Sequence, residues 1–218
     1  MKKVSLILSV VVLAATVNSC GGSEEENKTT EVIKENEKSE EKPNEELEKN
    51  SNELIVGKQV WMKNNLDVKE FKNGDPIPLA KNDEEWIKAI KEKTPSSRYY
   101  DDNPENGKLY GMLYNWYAVN DSRGLAPNGW RVPSDKEWSD LAEFIKNSKP
   151  NENEFKPALA GCFDGYGFRS IEKSGYWWSS TEHDMENALR WTSDSKYIRF
   201  VSVAEYKGYG LSVLCIKD

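Results

Sequence analysis

The clearest pattern of apolar and polar positions lies between residues 134 and 146. Apolar side chains recur there at the i, i+3, i+4 and i+7 spacing of a helix with one buried face. Ser134 and Glu137 stand at the N-cap and N3 positions of a capping box, in which each side chain satisfies a backbone donor near the other. The sequence therefore predicts a helix over 134–146 whose buried positions are Trp138, Leu141, Ala142 and Ile145.

Shorter elements are predicted upstream of this helix. A second helix is expected from Asp83 to Lys93, with Asn82 or Asp83 as its cap. Two short strands are expected at 54–56 and 59–62, on either side of a turn that contains a glycine. Residues 113–119 are apolar and aromatic without a clean period, so that a helix and a buried strand are both open.

The C-terminal third is rich in short β-prone runs, and the last three of them are expected to form an antiparallel meander. The runs cover residues 176–180, 189–192, 197–203 and 209–216. Two polar stretches contain turn-forming residues, so we expect a turn at 99–107 and a long irregular loop at 148–175. The predicted class is α+β, with two or three helices and a small antiparallel sheet.

Residues 110–141 hold the densest run of aromatic side chains in the chain. Trp116, Trp130 and Trp138 lie in this stretch, beside the helix start formed by Ser134 and Glu137. Large aromatic side chains dominate the energetics of protein cores. We therefore interpret these residues as the packing hub of the fold and not as an active centre.

Residues 1–19 have the pattern of an export signal. Two lysines precede an apolar run over 4–17, which is shorter than a helix that spans a bilayer. The run ends in residues 17–21, Val-Asn-Ser-Cys-Gly, which resemble the bacterial lipobox. That resemblance implies that Cys20 is acylated and becomes the mature N-terminus, anchored in the membrane. An ordinary secretory signal with an incidental cysteine is the alternative.

Residues 20–53 predict a disordered acidic tether. Residues 21–53 carry 12 Glu against 5 Lys, and no Phe, Trp or Tyr occurs before Trp61. Such a segment buries too little apolar surface to offset its chain entropy. The run Ser23–Glu26 resembles the export signal of surface lipoproteins, with a plain linker as the alternative. The chain has no basic stripe of the kind that binds phosphate backbones, which argues against a nucleic-acid partner.

Six segments carry a family resemblance: residues 57–66, 73–78, 110–119, 129–138, Phe168 with 176–181, and 210–218. In this order they resemble the Fibrobacter succinogenes major paralogous domain family of bacterial surface and secreted proteins, over residues 54–218. The resemblance implies a C-type-lectin-like fold related to the domain of formylglycine-generating enzymes. The chain departs from the family at Ala126, where members often have Cys, and at Leu214, where they often have Arg.

Two cysteines remain once Cys20 is assigned to the lipid. An exported protein permits a disulfide bond between Cys162 and Cys215, which would close a loop of about 50 residues. The alternative is two separately buried thiols. The departure at Ala126 removes the partner that Cys215 would have in the family, and both possibilities stay open.

Catalytic chemistry has little support in the sequence. His183 is the one histidine, and no Ser/His/Asp set, phosphate-binding glycine loop or Cys/His metal set can be assembled around it. We therefore expect neither an enzyme nor a bound metal or cofactor, apart from the lipid on Cys20. Exposed aromatic side chains bind sugars and proteins, so the predicted binding surface consists of Trp177, Trp178, Trp191 and His183.

These expectations combine into one functional hypothesis. The chain is predicted to be an outer-membrane lipoprotein of the bacterial envelope that displays a C-type-lectin-like module over residues 54–218. Its partners are the membrane and a glycan or protein, and both outward and periplasmic display stay open. The alternatives are an enzyme of the formylglycine-generating type and a structural envelope protein without a ligand.

Overall fold

The computed structural model describes residues 52–148, 155–195 and 199–218. The predicted signal peptide, Cys20 and nearly all of the predicted tether lie outside these residues. The described part is mixed α+β, with four α-helices and a 3-10 turn at Tyr100–Asp102, so the expectation of two or three helices was too low. The helices are α1 (Asp83–Glu92), α2 (Pro104–Tyr110), α3 (Trp116–Val119) and α4 (Asp135–Asn147).

Eleven strands occur in the described residues, and most of them are only two to four residues long. They are β1 (Glu53–Val56), β2 (Gln59–Met62), β3 (Ser97–Arg98), β4 (Leu113–Tyr114), β5 (Trp130–Arg131), β6 (Cys162–Phe163), β7 (Phe168–Arg169), β8 (Ser174–Glu182), β9 (Asn187–Asp194), β10 (Val201–Tyr206) and β11 (Ile216–Lys217). The hairpin β1–β2 confirms the first predicted strand pair.

The two predicted helices are confirmed together with their caps. In α4 the backbone N–H of Ser134 donates to Glu137 Oε2 at 2.9 Å, and the N–H of Glu137 donates to Ser134 Oγ at 3.4 Å, which completes the capping box. In α1 the side chain of Asn82 accepts a hydrogen bond from the N–H of Glu85 at 2.9 Å. Both helices begin where their first unpaired backbone donors find a side-chain acceptor.

Helix α2 replaces the polar turn that was expected at 99–107. Asn103 caps it by accepting from the N–H of Glu105 at 3.1 Å, and Pro104 occupies the first helical position. The pair Asn-Pro is a turn signal, but the same two residues also start helices, because proline lacks the N–H that would be unpaired there. The interpretation as a turn was therefore wrong.

Residues 113–119, for which the sequence allows either a helix or a buried strand, contain both kinds of structure. Strand β4 pairs with β3, and helix α3 follows after Asn115. The buried Asn115 side chain accepts hydrogen bonds from the N–H of Ala118 at 3.1 Å and from the N–H of Ser96 at 3.0 Å. The Asn115 amide thus starts helix α3 and links it to Ser96, which precedes β3. The spacing of apolar residues along the sequence cannot predict a contact of this kind.

The long antiparallel meander consists of β8, β9 and β10, in the order β10-β9-β8. The prediction placed the meander one strand further along the chain, with residues 209–216 as its last strand, and this was wrong. Those residues instead bridge several elements: Leu211 pairs with Tyr114, Ser212 with Trp177, and Ile216 with both Trp61 and Arg131. Every residue from 210 to 216 is buried, so this segment has no solvent face.

The first and last strands share a second sheet, in the order β1-β2-β11-β5. Next to the pairing of Ile216 with Trp61, the N–H of Met62 donates to the carbonyl of Cys215 at 2.9 Å. The C-terminal segment therefore closes the fold by joining the N-terminal hairpin to β5.

Trp138 lies at the centre of the main core. Four aromatic rings surround it within 6.1 Å between ring centroids: Trp61, Trp177, Trp191 and Phe200. Trp116 is buried as well, and its indole N–H donates to the carbonyl of Ser179 at 3.0 Å. Trp130 is only partly buried and lies at the rim, with the ammonium of Lys217 5.8 Å from the centre of its ring.

Candidate functional site

The tryptophans that the sequence assigned to a binding surface are buried. Trp177 and Trp178 are 0% exposed, and Trp191 is 6% exposed. Each indole N–H has an internal acceptor: Asn65 Oδ1 for Trp177, the Tyr114 carbonyl for Trp178 and Asp135 Oδ1 for Trp191. A tryptophan whose ring is packed and whose N–H is paired has neither an open ring face nor a free donor for a ligand. The prediction of a tryptophan surface was therefore wrong.

His183 does lie at the surface, in the loop between β8 and β9. Its side chain is 52% exposed, and its Nε2 is 4.0 Å from a carboxylate oxygen of Asp184. The loop is held by Lys207, whose buried ammonium donates to the carbonyls of Asp184 at 2.7 Å and Met185 at 2.9 Å. His183 is thus presented on a fixed loop, away from the three tryptophans that were grouped with it.

Cys162 and Cys215 do not form a disulfide bond in the structure, so the alternative of two separate thiols is the one that holds. Cys215 is fully buried, and burial raises its pKa to about 12. Burial also raises the pKa of Cys162 to about 11, and the carboxylate of Asp164 acts in the same direction. Both thiols therefore stay protonated near neutral pH, which makes them poor nucleophiles.

The meander presents two different faces. Successive side chains of a strand point to opposite sides of a sheet. Trp191 and Ser202 are cross-strand partners, and both donate to Asp135 at the start of α4, so their side faces the core. The opposite side is called the outer sheet face, and it is formed by the side chains of Tyr176, Trp178, Arg190, Thr192, Val201, Val203 and Glu205. Trp178, the cross-strand partner of Arg190, is fully buried, so this face is covered at that position.

Charged and aromatic groups are combined at the middle of the outer sheet face. Arg190 Nε lies 3.1 Å from Glu205 Oε2, and the guanidinium carbon is 4.8 Å from the centre of the Tyr176 ring. Ion pairing and the ring contact fix the orientation of the guanidinium group. The result is a cluster of one aromatic ring, one cation and one carboxylate, in which the side chains of Arg190 and Glu205 are only 14% and 21% exposed.

The hairpin β6–β7 adds further polar and aromatic groups beside the outer sheet face. Its tip carries Tyr166, which is 88% exposed, and an ion pair between Asp164 and Arg169. Burial raises the pKa of Tyr209, and the carboxylates of Glu205 on β10 and Asp164 on the hairpin act in the same direction. Both carboxylates therefore lie near the Tyr209 phenol.

The base of the hairpin is rigid. The guanidinium carbon of Arg98, which is buried, lies 4.4 Å from the centre of the Phe163 ring and 4.8 Å from that of Phe168. The same guanidinium group is paired with Asp102 through two hydrogen bonds of 2.6 and 2.8 Å. Tyr166 is therefore displayed from a fixed support.

An open depression of about 600 Å³ lies at the far end of the outer sheet face. Its described lining consists of Ser174, Thr192, Ser193, Asp194, Arg199 and Val201. Hydroxyl, carboxylate and guanidinium groups of this kind are the usual donors and acceptors for polyhydroxylated ligands. The depression thus adds polar groups at the end of the outer sheet face.

A second depression, of about 530 Å³, lies between residues 67–72 and 125–128. The aromatic ring in its lining, Phe71, is buried and is covered by the guanidinium group of Arg123 at 4.1 Å. Lys72, also in the lining, donates to the carbonyl of Trp130 at 3.0 Å. The depression therefore presents no open aromatic ring, and we place the candidate site on the outer sheet face.

In the described parts of the chain, no group of three or more His, Cys, Asp and Glu side chains is arranged to hold a metal ion. None of the helices formed by those residues has the length and apolarity to cross a membrane.

The fold and this surface define a small α+β module with a polar, tyrosine-bearing face. Residues 55–161 match the model of the Fibrobacter succinogenes major domain, and over these residues the chain belongs to that family. Comparisons with curated proteins and with solved structures gave no match. The family match ends before β6, so the hairpin and the outer sheet face lie beyond the matched residues.

Sequence reasoning missed the residues of this candidate site. The signal was the alternation in β9, where Arg190 and Thr192 interrupt the apolar positions Leu189 and Trp191. Alternation of this kind predicts a sheet with one solvent-exposed face. The exposed tyrosine follows a turn-forming stretch, Asp164-Gly165, which also favours the surface.

Proposed function

We propose that this protein is a lipid-anchored module of the bacterial envelope that binds a glycan through the outer sheet face and the hairpin beside it. The anchor in this proposal is Cys20, and residues 20–53 act as the tether that holds the module away from the outer membrane. The observation that carries the proposal is the exposed ring of Tyr166 next to the ion pair of Asp164 and Arg169.

The chemistry of this surface suits a sugar. The face of an exposed tyrosine ring covers the apolar C–H face of a pyranose, while fixed carboxylate and guanidinium groups bind ring hydroxyls. The charges on the surface are matched in pairs, Asp164 with Arg169 and Glu205 with Arg190. Because the pairs are internally neutral, the surface favours a neutral oligosaccharide over a strongly anionic one.

A C-type-lectin-like arrangement is part of the same proposal. It is supported by the combination of two longer helices, α1 and α4, with several small antiparallel sheets. The fold alone does not license sugar binding, because one fold hosts many functions. The proposal of glycan binding therefore rests on the surface residues and not on the fold.

An enzyme of the formylglycine-generating type is less well supported. Such an activity would draw on a pair of cooperating cysteines, and here Cys162 and Cys215 are free thiols with raised pKa values. A protein ligand is the second candidate. The observation that favours it is the presence of Tyr166 and Arg169 together on the hairpin β6–β7, since Tyr and Arg are frequent hot-spot residues.

The test is a binding screen of the full-length protein against neutral and anionic oligosaccharides, followed by titration calorimetry with the best ligand. Tyr166→Ala is expected to weaken binding about fivefold or more, because stacking of a ring on one aromatic side chain contributes about 1–3 kcal/mol where nucleobases are the ligand. Ile55→Ala is the matched control: this side chain is also largely exposed but lies on β1, in the other sheet. Binding that survives Tyr166→Ala unchanged would refute the proposed face.

A screen in which no oligosaccharide binds at millimolar concentration would refute the glycan ligand itself. If a protein bound instead, and Tyr166→Ala abolished that binding, the second candidate would replace the first on the same surface.

A further inference from the structure

Strand β10 is a free edge in the described part of the chain. It is the terminal strand of the sheet β10-β9-β8, and it pairs with β9 alone, residue for residue from Val201↔Thr192 to Tyr206↔Asn187. The other side of β10 therefore presents a row of backbone N–H and C=O groups that can pair with another strand.

This edge lacks the features that usually protect an exposed strand. Proteins commonly block such edges with proline, lysine or a β-bulge. The sequence of β10 is Val-Ser-Val-Ala-Glu-Tyr, and its pairing with β9 shows no register shift. Val201 and Val203 are 40% and 39% exposed on the outer sheet face. A regular, β-prone edge with exposed valines is a surface for strand addition.

We propose that the partner of this edge is a second copy of the same chain, joined by antiparallel pairing of β10 with β10 about a two-fold axis at Ser202. In this register Val201 of each copy lies opposite Val203 of the other, and Arg199 lies opposite Glu205. Cross-strand pairs of β-branched residues and of opposite charges each stabilise a sheet.

The register follows from the sequence of the strand. Side chains on the same face must pair with each other, which restricts a symmetric pairing to axes at single residues such as 201, 202 or 203. An axis at 203 would place Val201 opposite Glu205, and an axis at 201 would place Arg199 opposite Val203. Of these three, the axis at Ser202 is the one that matches valine with valine and cation with carboxylate.

Arg199 and Glu205 are placed to form the ion pair between the two copies. Arg199 precedes β10, is exposed and lines the depression together with Val201, so it lies on the outer side. Glu205 is on the same side and already contacts Arg190 at 3.1 Å, which leaves its carboxylate between two guanidinium groups in the dimer. The dimer would form one six-stranded sheet whose two outer faces are continuous.

This inference goes beyond glycan binding and does not depend on it. The dimer places the two candidate ligand faces side by side on one surface, so that a ligand with repeated units could contact both and gain affinity from the shared attachment.

The first test is sedimentation of the full-length protein over a range of concentrations. The wild type is expected to show a concentration-dependent monomer–dimer equilibrium, and Val201→Lys is expected to raise the dissociation constant at least tenfold. Val201→Thr, which keeps a β-branched side chain, is the matched control and should stay within about threefold of the wild type. A wild type that is monomeric at all concentrations up to about 100 µM would overturn the proposal.

The second test probes the register of the β10–β10 pairing and is independent of the Val201→Lys variant. Ser202→Cys places two thiols across the axis, so mild oxidation should give a covalent dimer that reducing agent separates. Ser180→Cys, on the exposed end of β8, is the control and should stay monomeric, as should the wild type with its native cysteines. Failure of Ser202→Cys to cross-link in a protein that sediments as a dimer would overturn the β10 interface.

Discussion

The buried ammonium group of Lys207 lies 4.9 Å from the centre of the Trp116 ring. The same group donates to the carbonyls of Asp184 and Met185 and is paired with the carboxylate of Glu182. A lysine this deeply buried is stable because its three N–H donors are all used and its charge is compensated. It fixes the loop between β8 and β9 against α3.

Replacement of this lysine is therefore expected to be costly. Lys207→Met keeps most of the aliphatic packing but leaves the two loop carbonyls without a donor. We expect a loss of about 3 kcal/mol in the free energy of unfolding, since hydrogen bonds to a charged group each contribute about 1.5–3 kcal/mol. Urea denaturation measures it.

Lys93→Met is the matched control for that experiment. Lys93 pairs with Glu186 of the same loop at 2.9 Å, but its side chain is 53% exposed. Exposed ion pairs contribute about 0–1 kcal/mol, so the control should change stability little. Equal losses in the two variants would contradict the role assigned to the buried position.

The capping box of α4 predicts a pH dependence. A side-chain hydrogen bond from Arg131 is the main reason that the pKa of Glu137 falls to about 2, and bonds from Ser134 act in the same direction. Because the pKa in the folded state lies below the ordinary value, this carboxylate stabilises the fold above pH of about 4.5, and the stabilisation is lost as the pH falls towards 2.

Glu137→Gln should accordingly lower the free energy of unfolding by about 2 kcal/mol at pH 7 and by progressively less at lower pH. Stability curves at pH 7, 5, 4 and 3 test this. Glu143→Gln, at an exposed position of the same helix, should show no such convergence. A difference between wild type and Glu137→Gln that is constant down to pH 3 would speak against the mechanism.

Thiol chemistry provides a third prediction. Both Cys162 and Cys215 should be alkylated in the unfolded protein without prior reduction, because they form no disulfide bond. In the folded protein Cys162, which is only partly buried, should react first, and its rate should rise as the pH approaches 11 because the thiolate is the reactive species. Mass spectrometry after timed alkylation gives both rates.

Cys162→Ser isolates the buried thiol in that experiment. The remaining Cys215 should react only at the rate of global unfolding, since it is 0% exposed. Fast labelling of Cys215 under native conditions would show that the C-terminal segment opens locally.

The proposed lipid anchor predicts the distribution of the protein in cells. Wild type is expected in the membrane fraction, because acyl chains contribute roughly 0.8 kcal/mol per buried CH₂ group. Cys20→Ala should not be acylated and should move to the soluble fraction. Cys162→Ala, which removes a cysteine from the folded module, is the control and should stay with the membrane. Membrane retention of Cys20→Ala would contradict the anchor.

Local signals were sufficient for part of this fold. The capping box at Ser134 and Glu137 and the cap at Asn82 act over three or four residues, so the sequence alone places the helices α1 and α4. The strands of the first hairpin, around Gly57, are equally local. The motifs of the Fibrobacter succinogenes major domain could also be read directly from residues 55–161.

The local sequence could not predict which tryptophan side chains are buried. Trp177 and Trp178 are neighbours on a strand and point to opposite faces, so alternation predicts that one of them is exposed. Both are buried because the meander is covered on one face by α4 and on the other by β4, where the Tyr114 carbonyl accepts from Trp178. The segments that cover the meander are distant from it in sequence, so no local sequence pattern predicts the burial of both tryptophans.

The chain by itself determined where α1 and α4 begin, where its first hairpin turns and which family residues 55–161 belong to. Only the tertiary structure decided which aromatic residues are exposed to solvent, that the cysteines stay apart, and that Tyr176, Arg190 and Glu205 meet on one sheet face. The physical reason is that capping and turn formation depend on neighbours in sequence, whereas exposure depends on packing between residues that are far apart in sequence.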